Sequence, residues 1–106
     1  MGRIVIAAFT PKPGMDAALR AAVNKHLTVL RGQNLITDRP GYVMRAAGGT
    51  IIEVFEWRSA EAIKSAHSNP AVLALWDEFE AACEYVPLTR LAECHDLFAE
   101  FEPIEP

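Results

Sequence analysis

The sequence predicts an α+β fold of the ferredoxin-like kind, ordered β-α-β-β-α-β. That is a four-stranded antiparallel sheet with two helices on one face. Three observations predict it. Two strand-like stretches flank Gly48-Gly49, a pair suited to a tight hairpin. A stretch with helical apolar spacing lies on each side of that hairpin, and a further strand-like stretch lies outside each helix. With 106 residues, 51% hydrophobic and 23% charged, the chain fits a single domain, residues 1–106. A chain of this length buries only ~60–65% of its unfolded surface, so a second subunit would help it.

The first strand spans 3–10. Ile4, Ile6 and Ala8 point one way, and Val5, Ala7 and Phe9 the other, so both faces are apolar and both call for cover. Pro11, Pro13 and Gly14 end it. A helix over 15–31 carries Leu19, Val23, His26, Leu27 and Leu30 in one stripe, with Gly32 as its left-handed cap. After a loop at 33–40, strands at 42–47 and 50–57 close on Gly48-Gly49. A two-residue loop pairs Met44 with Glu53 and Tyr42 with Phe55. It puts Tyr42, Met44, Glu53, Phe55 and Trp57 on one sheet face, and Val43, Ile52, Val54 and Glu56 on the other. Ser59 caps a helix at 60–68, and Asn69-Pro70 breaks and restarts it as 71–83, with Val72, Leu75, Trp76, Phe79 and Cys83 inward. Residues 84–93 read as irregular and 94–101 as the last strand. The prolines of the tail keep it from continuing a central strand.

Ten basic and fourteen acidic residues give a net charge of −4, and no Lys or Arg run exists, which argues against a nucleic-acid partner. No apolar run of about twenty residues or signal-like start is present, so no membrane partner is expected and the protein reads as cytoplasmic. Cys83 and Cys94 read as reduced thiols. No metal is expected, since no His or carboxylate pair has ligand spacing.

The opening strand with Lys12-Pro13-Gly14, the VFEW segment at 54–57, Ala66-His67 and Ser68-Asn69-Pro70 are similar to the dimeric α+β barrel superfamily, above all its antibiotic biosynthesis monooxygenase-like group. The resemblance covers roughly residues 3–101. It implies a homodimer whose sheets pack into a barrel over the face that two helices leave bare. It also implies a pocket in each subunit between helices and sheet, suited to a small hydrophobic or aromatic ligand. The activity implied is cofactor-independent oxygenation of an aromatic or quinol-type molecule. A non-catalytic ligand-binding or stress-associated dimer is the alternative, and an isomerase or lactone-processing enzyme a third reading. Haem-degrading members carry an asparagine on the first strand and a ligating histidine well inside the second helix. Here Ala7-Ala8 and Leu75-Trp76 fall near those positions, so no haem or other cofactor is expected.

The candidate catalytic residues are His67, as base, and Glu53, which orients it or is itself the base. Tyr42, Trp57, Trp76 and His26 are the candidate ligand contacts. A helix-facing Glu53 must be protonated, paired or wet, with His26, His67 or solvent as partner.

Overall fold

The computed structural model describes residues 1–105. Strand β1 (Arg3–Pro11) leads into helix α1 (Asp16–Gly32). The hairpin β2 (Tyr42–Arg45) and β3 (Ile51–Trp57) follows, then α2 (Ala60–Ala66), α3 (Pro70–Ala82), β4 (Cys83–Val86), two short 3₁₀ turns and β5 (Glu102–Pro103). The fold is α+β, with a five-stranded open antiparallel sheet in the order β4-β1-β3-β2-β5 and three helices. The first four strands have the ferredoxin-like order. No helix among the described residues is long and apolar enough to cross a membrane.

Local chemistry explains the helix ends. Ser59 Oγ accepts from the Ala62 N–H at 3.1 Å. Asn69 Oδ1 accepts from the N–H groups of Ala71 and Val72 at 3.0 and 3.2 Å, and Pro70 fills the first helical position, where no N–H is needed. The break at Asn69 makes α2 and α3 separate helices and leaves His67 at the joint. At the end of α1 the left-handed residue is Asn34 (φ 60), not Gly32, and the Leu35 N–H reaches back to the Leu30 carbonyl at 3.0 Å.

The hairpin differs from expectation by one residue. Ala46 pairs with Thr50 through the Ala46 N–H at 2.9 Å, and the Gly49 N–H closes on the Ala46 carbonyl at 2.9 Å. The loop is therefore Ala47-Gly48-Gly49, and Gly49 alone (φ 96) takes the positive angle that such a three-residue turn requires. The slip pairs Val43 with Glu53 and Met44 with Ile52. It exchanges the faces of β2, so Tyr42 stands opposite Val54, away from Trp57, and is 68% exposed.

The last strand also differs. At Cys83 the chain leaves α3 in an extended conformation and pairs at once with the free edge of β1, with Cys83 opposite Pro11 and Tyr85 opposite Phe9. Residues 94–101 form no strand. Instead, Leu91 is buried with Ala8, Ala46 and Ile52 on the face of the sheet opposite the helices, and Leu88, Cys94 and Phe101 pack around it. Part of the face expected to be bare is thus covered by the chain's own C-terminal arm. Ile4 (62% exposed) and Ile6 (49%) remain uncovered there with Tyr42, and Leu97 and Phe98 project from the arm. β5 adds two residues to the outer edge of β2, a position where Pro103 costs no central ladder bond.

The helix-side core has two halves. Phe9, Leu19, Ala22, Ile51 and Phe79 form one, and Leu30, Ile36, Phe55, Trp57 and Val72 the other. Both thiols are free. Burial pushes the Cys83 thiol up to about 11, which keeps it protonated and poorly nucleophilic.

Candidate active site

Alternation along β1 and β3 sends Val5, Ala7, Phe9, Ile51, Glu53, Phe55 and Trp57 toward the helices. Between that face and α3 lies an open cavity of about 440 Å³. Val5, Ala7, Phe9, Phe55 and Trp57 line it from the sheet, Trp76, Phe79 and Glu80 from α3, His26 from α1, His67 from the α2–α3 joint and Tyr85 from β4. The lining is aromatic with few polar groups, as a site for a flat organic ligand should be.

A hydrogen-bonded line of three side chains ends on this cavity. Glu53 is wholly buried, and its Oε1 lies 2.6 Å from His26 Nδ1. The Trp76 indole N–H donates to His26 Nε2 at 3.3 Å. An indole nitrogen can only donate, so Nε2 accepts. The ring proton then sits on Nδ1 and is donated to Glu53. Phe79 and Phe55 hold the imidazole edge to face at centroid distances of 4.8 and 5.6 Å, which fixes its plane. The short bond to a carboxylate orients the ring. The long bond from Trp76 leaves Nε2 weakly held, so a better donor in the cavity can displace it.

The helix-facing Glu53 expected from the sequence is in place, and its partner is His26 on α1. His67 is exposed at the cavity mouth at the end of α2, 5.0 Å from the Trp76 ring between centroids, and makes no hydrogen bond to Glu53 among the described residues. Trp57 and Trp76 line the cavity together, 19 positions apart in the chain but on facing elements. Tyr42 does not line it, because the hairpin slip turned it away; it borders a separate cavity.

Glu80 and Tyr85 are additions: Glu80 lies outside the inward stripe expected of 71–83, and residues 84–93 carried no strand expectation. Tyr85 had no local signal, because Cys83-Glu84-Tyr85-Val86 is too short to show a period and becomes a strand only by pairing with β1. Burial, with smaller contributions from Cys83 and Glu80, pushes the Tyr85 phenol up to about 12, so at neutral pH it can only present a protonated hydroxyl. A raised phenol contributes stability that is intact below its ordinary value of 10 and lost as the pH rises through about 12. An ultraviolet phenolate titration should show an ionisation near pH 12 that disappears in Tyr85→Phe.

No family model matches the chain, and no curated protein matches it. A solved structure that it resembles is that of Rv0793 from Mycobacterium tuberculosis, at 24% identity and a TM-score of 0.66, over 81% of this chain and 89% of that one. The likeness is one of fold.

Proposed function

We propose that the protein is a small cytoplasmic enzyme that oxygenates an aromatic or quinol-type molecule without a prosthetic group, in the manner of the monooxygenase-like group its sequence resembles. The observation that carries this reading is the buried Glu53–His26 pair ending on an apolar, aromatic cavity. A flat ligand bearing an acidic O–H or C–H group enters between Trp57 and Trp76. It displaces the indole from His26 Nε2 and gives its proton there, with Glu53 holding the opposite ring proton. The base is thus His26, with Glu53 as its positioning partner, while His67 contacts the ligand at the mouth and Tyr85 donates from β4. The ring anion is electron-rich enough to react with dioxygen, the oxidant the reaction needs. For an anthrone, the ring CH₂ and one dioxygen become a ring C=O and one water, so no further reductant is required.

Ile4, Ile6 and Tyr42, with Leu97 and Phe98 on the arm, make an apolar surface of the kind that a two-fold partner covers. The working form in this reading is a homodimer with sheet packed on sheet in a barrel.

Dioxygen uptake with a panel of anthrones and quinols tests the reaction. Uptake by the native protein and its loss in Glu53→Gln are expected. No uptake with any member, or equal uptake in the variant, would remove the reading and leave a ligand-binding barrel in its place.

A further inference from the structure

A second cavity, of about 410 Å³, lies on the other side of the pair. Val23, Asn24 and Leu27 of α1, Tyr42 and Val43 of β2, and Pro103, Ile104 and Glu105 of the tail line it, and Glu53 is part of its wall. The two cavities share no lining residue. His26 belongs to the first and Glu53 to the second, so the 2.6 Å hydrogen bond between them is a bridge from one to the other. Glu53 Oε2 has no hydrogen-bond partner among the described residues and no accessible surface. A buried carboxylate oxygen without a donor is costly, and a small polar molecule that reaches it relieves that cost.

We infer that the second cavity is a proton port, through which water reaches Glu53 Oε2 and the Glu53–His26 pair exchanges protons with solvent while the first cavity is occupied. The tail governs access. Among the described residues its only regular pairing is that of Pro103 with Met44 and Glu102 with Arg45, together with the Ile104 N–H on the Val43 carbonyl at 2.9 Å. A two-residue edge strand opens at little cost. The proton route balances at each step. When Nε2 takes a proton the imidazole holds two, and the Nδ1 proton crosses to Glu53 Oε1. A half-turn of the resulting carboxylic acid presents that proton to water in the second cavity, which carries it out as hydronium. The reverse path reloads the pair. Val23, Leu27, Val43 and Ile104 make the port apolar, while Asn24 and Glu105 are the polar side chains that can hold water along it.

The role of the port in turnover rests on the function proposed above, but its existence does not, and the test separates the two. Exchange of the His26 Nδ1 proton with water is followed by proton NMR in the full chain, in a chain ending at Phe101, and in Ile104→Gly, which thins the wall without shortening the tail. Both variants should exchange faster by roughly tenfold or more, because the local opening is no longer required. Saturating the first cavity with 2-methoxynaphthalene, a flat aromatic with no acidic proton, should leave the rate unchanged. Unaltered exchange in both variants, or exchange that slows when the aromatic fills the first cavity, would overturn the port. If the aromatic does not bind at all, the ligand-site reading fails while the tail variants still decide the port.

Discussion

Replacing His26 with leucine should lower the unfolding free energy by about 3–5 kcal/mol, the range for removing one partner of a buried pair. His26 is nearly as buried as Glu53, and Glu53 Oε1 has no other partner among the described residues. Oε2 already lacks one. The variant would therefore leave a carboxyl group in the middle of β3, between Ala7 and Val43, with neither oxygen satisfied. For a domain whose total stability is of the order of 5–15 kcal/mol, this is a large fraction. Glu53→Leu should cost less, about 1–3 kcal/mol, because it orphans a neutral ring N–H. The double variant should recover much of the loss, since two apolar side chains of similar volume leave no buried carboxyl and only the half-buried Trp76 N–H without its partner. Urea denaturation of the three variants checks this. Additive losses would show that the two side chains do not act as a pair. A fold that carries such a pair when an apolar pair would serve its stability is holding it for another reason, and the neighbouring cavity supplies one.

The second large effect concerns assembly. The native protein should run as a dimer in size-exclusion chromatography, and Ile6→Asp should convert it to monomer. Ile6 pairs with Val54 near the centre of the sheet, and its side chain lies on the face away from the helices with Ile4. Burying an isoleucine contributes about 1.5–3 kcal/mol, and a carboxylate forced into the same contact costs several more. The dissociation constant should rise by at least about a hundredfold, which is near 2.8 kcal/mol. The substitution lies on the exposed face, so the helix-side core should be preserved and the circular dichroism spectrum unchanged. A native protein that is monomeric at every concentration would remove the barrel.

The sequence made the helices and the first three strands legible because their apolar periods are local. The stripe Leu19, Val23, His26 and Leu30 on α1 and the break at Asn69-Pro70 depend on neighbours only a few positions away. The hairpin register was not legible, because Gly-Gly permits both a two- and a three-residue loop. The choice of Gly49 alone as the left-handed residue is made by how β2 docks against β3 and β5. That single slip cost Tyr42 its place in the cavity. The last strand was missed for a related reason. Residues 83–86 are too short for a periodic signal, and only the open edge of β1 makes them a strand. In the candidate site, the helix-side position of Glu53 followed from its spacing to Phe55 and Trp57. Its pairing with His26, 27 positions earlier, is a tertiary fact, and among His26, His67 and solvent no local pattern could choose. The second cavity depends on where the tail returns to the sheet, which its prolines constrain but do not fix.

The most direct test is the stoichiometry of dioxygen uptake with an anthrone, measured for the native protein beside Glu53→Gln. Glutamine keeps the size of the side chain but removes the carboxylate that holds the Nδ1 proton of His26. The native protein is expected to consume one dioxygen for each anthrone converted to the ring ketone, and the variant to bind the anthrone yet turn it over at least about a hundredfold more slowly. Conversion at equal rates in the two proteins would contradict a site built on Glu53 and His26.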